Sequence, residues 1–149
     1  MLPRTLLIAP EPFAEGLSAQ RAAGAIARGV LAADAGLEVD LCPLEDGERD
    51  PAALKRYLEE VDFDARMRAA RALVVGAARL DEATLLGSAT FEIATRARQS
   101  GVPAYAVTGA DALSAFDARI LDLQVILEAS SARALAAAGR KLALRSLIR

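Results

Sequence analysis

An α/β fold, with a parallel sheet of about five strands covered by helices on both faces, is what this sequence of 149 residues predicts. Three observations carry the prediction. Short apolar runs alternate with longer segments whose apolar residues recur every three or four positions. The first run, Thr5–Ala9, is almost wholly apolar, as a strand buried on two faces must be. Hydrophobic residues make up 54% of the chain but aromatic ones only 4%. The core is therefore Leu, Val, Ile and Ala, which suits helices packed closely onto a sheet.

Thr5–Ala9 is closed by Pro10 and forms the first strand. A turn-rich stretch, Glu11–Gly16, leads to Ser18, a suitable N-cap. The helix that follows runs to about Ala33, because Ala19, Ala22, Ala23, Ile26, Ala27, Val30 and Leu31 make one stripe of small apolar residues. Gly36 is expected to end it. Leu37–Cys42 supplies the second strand, and the polar Glu45–Pro51 an exposed loop. Ala52–Glu60 and Phe63–Ala72 read as helices, and Leu73–Gly76 as the third strand. Thr84–Ser100 is expected as one helix, ended by Gly101. Val102–Val107 is the fourth strand and Asp111–Phe116 a short helix. Ile120–Leu127 is the fifth strand, with Leu121, Leu123, Val125 and Leu127 alternating against Asp122, Gln124 and Ile126. Ser130 or Ser131 caps a last helix whose buried candidates include Leu135, Leu142 and Leu144. Strands alternating with helices need right-handed crossovers, hence a three-layer Rossmann-like or flavodoxin-like arrangement. One domain spans 1–149.

Composition excludes several chemistries. The sequence has no histidine, so Ser-His-Asp and Cys-His catalysis and imidazole metal sites are unavailable. Cys42 is the lone cysteine and ends an apolar run, which favours a buried small hydrophobe over a reactive thiol. A net charge of −2 and a pI near 5.2 give no general attraction for nucleic acid or an anionic membrane. The basic residues Arg133, Arg140, Lys141, Arg145 and Arg149 read as the solvated face of the last helix. No apolar run approaches the roughly 20 residues of a membrane span. The first residues lack a signal-peptide layout, so a cytoplasmic location is expected.

In an open α/β sheet, ligands sit beyond the carboxyl ends of the strands. The loops expected there carry Glu11, Glu15, Glu45, Asp46, Glu48, Asp50, Asp81, Glu82 and Asp111, with Arg49 and Arg79 as the cations. Neither a glycine-lysine phosphate loop nor a GxGxxG turn is present. Glu11 and Glu15 precede the first long helix and are expected to take up its N-terminal potential, which would repel a phosphate. The acidic rim has two readings: a magnesium site led by Asp46 and Asp81, or solvated carboxylates and helix-capping charges. Arg79, Asp81, Thr84, Ser18 and Glu11 are the candidate ligand contacts. Arg79 and Asp81 have a structural alternative, as an ion pair and a cap for the helix near Thr84.

Two blocks, TLLIAPEPFAEGLSAQRAAGAIARGV…VDLCPLEDG and FDARMRAARALVVGAARLDEATLLGSATFEIATRARQSGVPAYAVTG, together resemble the N- and C-terminal parts of the type I (bacterial two-domain) glycerate kinase family. In the first loop Ala9, Pro10, Phe13, Gly16, Leu17, Ser18 and Ala19 match the family pattern. Glu11 stands for a family aspartate, Pro12 for a serine, Ala14 for a lysine and Glu15 for a glycine. Pro43, Leu44, Asp46 and Gly47 match, but Glu48-Arg49-Asp50-Pro51 departs from the family's run. Gly76, Arg79, Leu80, Asp81, Thr84 and Gly87 match in the third loop, where Ala77, Ala78 and Ser88 replace a glutamate, a glycine and a lysine. Val102, Pro103 and Gly109 also match.

The resemblance implies that residues 1–47 correspond to the family's N-terminal part and residues 63–149 to its C-terminal part. Residues 48–62 would bridge an absent inserted domain, and with it half of the active-site cleft. Magnesium and ATP are implied as cofactors only if kinase activity is retained. Three functions are expected to compete. One is a catalytically degenerate domain binding a small ligand or a protein. Another is a residual glycerate kinase, its catalytic candidates Asp46 and Asp81, completed by a companion chain. The last is a homo-oligomeric scaffold, a dimer by preference.

Overall fold

The computed structural model describes residues 3–14, 16–45 and 50–144. The elements are β1 (Thr5–Pro10), α1 (Ala19–Ala33), β2 (Glu38–Leu41), α2 (Pro51–Glu60), α3 (Phe63–Arg68) and β3 (Ala72–Ala77). A 3₁₀ turn (Glu82–Leu86), α4 (Ala89–Gln99), β4 (Ala104–Thr108), α5 (Ala115–Leu121), β5 (Leu123–Glu128) and α6 (Ala132–Leu142) complete the order.

The strands form one five-stranded parallel sheet in the order β2-β1-β3-β4-β5. This is the flavodoxin-like order, and the strand direction of travel reverses between β1 and β3. Two apolar layers cover the sheet. On one face α1 and α6 pack over Leu6, Ile8, Val74 and Val107. On the other, Leu54, Leu58, Phe63, Met67 and Ile93 from α2, α3 and α4 pack over Leu7, Ala9, Leu73 and Val75. Alternation along β1 and β3 thus feeds both layers, which is why their sequence is continuously apolar.

Several expectations change. The segment Thr84–Ser100 is not one helix: Gly87, at φ +130°, breaks it into the 3₁₀ turn and α4, which Ser88 caps by accepting from Phe91 N. A helix cannot pass through a positive φ without losing its hydrogen bonds. Gly36 does not end α1. Asp34 does, donating its N–H to Val30 O and accepting from Gly36 N with its carboxylate. The short helix expected over Asp111–Phe116 lies instead at Ala115–Leu121, capped by Ser114, so β5 begins at Leu123 rather than Ile120. A left-handed Asp122 makes the turn between them. α3 stops at Arg68, short of the Ala72 expected. Ser131, not Ser130, caps α6. Leu144 and Leu31 are half-exposed rather than core residues, whereas Leu135 and Leu142 are buried.

Candidate functional site

The carboxyl ends of β1 and β3, where the strand order reverses, flank a shallow open depression of about 340 Å³. Glu11 and Pro12 line it from the β1 end, and Ala77, Ala78, Arg79 and Asp81 from the β3 end. Thr84 and Ser88 close the third side. Four of the expected contacts, Glu11, Arg79, Asp81 and Thr84, are therefore brought together. Ser18 is not among the lining residues. Its side chain accepts from Arg21 N as the N-cap of α1. Glu15, Asp46, Glu48 and Arg49 lie outside the described residues.

The chain arranges its own carboxylates at the helix starts around this rim. Glu11 was expected at the start of α1 but reaches across to α4. One of its oxygens accepts from Thr90 N at 3.0 Å and from the Thr90 hydroxyl. Thr90 itself is fully buried. The start of α1 is served instead by Glu45 from the loop after β2, accepting from Ala19 N at 2.8 Å. Each carboxylate satisfies an amide with no helical partner and sits where the helix dipole favours negative charge. Both N-termini that a phosphate would use are thus occupied by side chains.

Asp81 is also engaged. One oxygen accepts from Ala83 N at 3.0 Å, and the Thr84 hydroxyl returns the contact by accepting from Asp81 N, a reciprocal capping box. The other oxygen takes Arg79 Nε at 3.0 Å. The ion-pair-and-cap reading of Arg79 and Asp81 is the geometry found. Arg79 keeps 59% of its side chain exposed, so its guanidinium still presents donors to the depression. Among the described residues no group of three or more acidic or Cys side chains is placed to hold a metal ion.

Residues 52–145 match the glycerate kinase family. The chain belongs to the glycerate kinase family. The match begins inside α2, within the stretch expected as a bridge, and takes in Arg79, Asp81, Thr84, Ser88 and Thr90. The first block, with Glu11 and Ser18, precedes it. Between β2 and β3 this member of the family carries α2 and α3. No curated protein matches the sequence. A solved structure of an oxidoreductase from Corynebacterium diphtheriae is similar over 97% of each chain, with a TM-score of 0.51 and 14% identity. At that identity the likeness is one of fold alone.

Thr90 and Ser88 are the site residues that sequence reasoning missed. Reading Thr84–Ser100 as one helix placed both in its interior, where no cap is needed. The available signal was Gly87-Ser88, a break followed by an N-cap residue. Cys42, by contrast, behaves as expected. It is buried, and burial pushes its thiol pKa up against the opposing pull of Arg66 and Tyr57.

Proposed function

We propose that this glycerate-kinase-family domain binds a small hydroxy acid at the β1/β3 depression and does not transfer phosphate to it. Arg79 is the anchor for a ligand carboxylate, exchanging or sharing its bond to Asp81, while Ser88, whose hydroxyl donates to Thr84 O and accepts from Phe91 N, keeps one lone pair to accept from the ligand's hydroxyl. The observation that carries the reading is the occupation of the α1 and α4 N-termini by Glu45 and Glu11. A triphosphate seated there would meet two carboxylates instead of free amides, and phosphoryl transfer depends on positive charge around the group in flight. A single carboxylate held by an exposed guanidinium avoids that repulsion.

The test is calorimetric titration with glycerate and, separately, with magnesium-ATP, alongside an assay for ATP turnover. Glycerate is expected to bind, Arg79→Ala to weaken it at least tenfold, and magnesium-ATP to leave the melting temperature nearly unchanged. Turnover of ATP with glycerate that disappears in Asp81→Ala would overturn the proposal. It would favour the second reading, which family membership supports: a kinase using Asp46 and Asp81, with a companion chain completing the cleft.

A further inference from the structure

Beside the β1/β3 depression lies a second hollow, a groove of about 320 Å³ between α2 and α4. Helical spacing explains its walls. Pro51, Leu54 and Lys55 fall at i, i+3 and i+4 on α2, and Ser88, Phe91 and Glu92 repeat that spacing from the cap of α4. Each set therefore shares one face of its helix. Arg96 lines the groove one turn beyond Glu92, bonded to Glu92 at 2.8 Å and to Asp64 at 3.1 Å. Its charge is already compensated within the chain.

Phe91 is the unusual wall. Leu54 from α2 and Ile93 from α4 are buried in the layer beneath the sheet. The Phe91 ring is half-buried and belongs to neither apolar layer. It is a large apolar surface that the core does not use. Ser88 lines both the groove and the depression, so the two hollows meet there. Gly87 also lines the groove, and a Cβ on it would meet nothing within 4 Å. The partition between the hollows is thus a hydroxymethyl group and a bare stretch of backbone.

We propose, resting on the hydroxy-acid reading of the depression, that the groove takes the tail of the same ligand, and that the ligand class is 2-hydroxy acids bearing an aryl group. With the carboxylate on Arg79 and the hydroxyl on Ser88, the next carbon of such an acid stands at the partition, and its substituent continues over Gly87 toward Phe91. An aryl tail suits these walls better than a charged one. A ring can meet Phe91 offset or edge-on and lie against the aliphatic stem of Lys55. A second carboxylate would find Arg96 engaged and gain only the exposed Lys55 ammonium, a contact that solvent screens.

Calorimetric titration with lactate, phenyllactate and the longer 2-hydroxy-4-phenylbutyrate tests this, since the three acids differ only in the tail. At least one aryl acid is expected to bind about ten- to a hundredfold tighter than lactate, the range for moving a phenyl group out of water. Phe91→Ala should remove that advantage and leave lactate binding unchanged, whereas Phe91→Leu should keep part of it. Arg79→Ala should weaken all three acids alike, because they share the anchored end. Equal affinity for all three acids would overturn the tail assignment and leave the hydroxy-acid reading standing. So would an aryl preference that survives Phe91→Ala, or a Phe91→Ala variant that weakens lactate as much as the aryl acids. Failure of every acid to bind would overturn the hydroxy-acid reading itself, and the tail with it.

Discussion

Glu11 and Thr90 lie 79 positions apart in the chain, yet their contact fills the start of α4 at the rim of the depression. The carboxylate takes both the amide and the hydroxyl of a residue with no solvent access. Deleting that hydroxyl leaves a partly desolvated carboxylate short of a charge-assisted bond, worth about 2 kcal/mol. Thr90→Val, nearly the same shape, is therefore expected to lower the melting temperature by roughly 4–8 °C in thermal unfolding. No change would mean that solvent already satisfies the carboxylate. Arg79 and Asp81 illustrate how legible single residues were: their pairing and capping was one of the two readings the sequence offered, the partners being only two and three positions apart. The Glu11–Thr90 contact could not be read that way.

At the scale of elements, α1 and α6 cross at glycines. A Cβ on Gly29 would lie 1.7 Å from Ala136 O, and one on Gly139 would lie 2.2 Å from Ile26 O. The backbones touch because neither position has a side chain to hold them apart. Gly24, on the same helix as Gly29, has nothing nearer than the Arg28 guanidinium at 3.7 Å. Opposite outcomes are expected in urea denaturation. Gly139→Ala must drive the helices apart, at a cost of about 3 kcal/mol or more. Gly24→Ala removes a flexible residue from an open helix face and should stabilise by up to about 1 kcal/mol. Equal effects from the two would show that α1 and α6 can separate freely. The sequence showed that both helices exist and which stripe of α1 is apolar. It did not show that the two helices touch, since nothing in either pattern names its neighbour.

For the whole molecule, the absence of histidine leaves no side chain with an ordinary pKa between the carboxylates and Cys42. Among the described residues, burial raises the pKa of the buried Cys42 and Tyr105 and of the half-buried Tyr57 above their ordinary values. A raised acid keeps its proton longer in the folded state than in the unfolded one. Its contribution to stability is intact below the unfolded pKa and is lost as pH climbs through the folded value. Melting temperature should thus be flat from about pH 6 to 8 and fall above about pH 9, where an unfolded thiol ionises. Cys42→Ala should remove the first part of that fall. A steep change between pH 6 and 8 would contradict this account.

What the sequence determined by itself was everything that depends on local pattern. Apolar runs between helical stripes specified a parallel α/β sheet, Ser18 marked the start of α1, and the zero histidine count excluded whole classes of chemistry. Boundaries moved where a single backbone angle intervened, as at Gly87 and Asp122, because pattern is insensitive to one residue's φ. Tertiary structure alone decided which carboxylate meets which helix, which helices touch, and which strands lie at the sheet's edges. Those outcomes depend on strand order, and the order β2-β1-β3-β4-β5 sets residues far apart in the chain beside one another. Local propensity acts over a few residues, so it cannot specify which distant segments become neighbours.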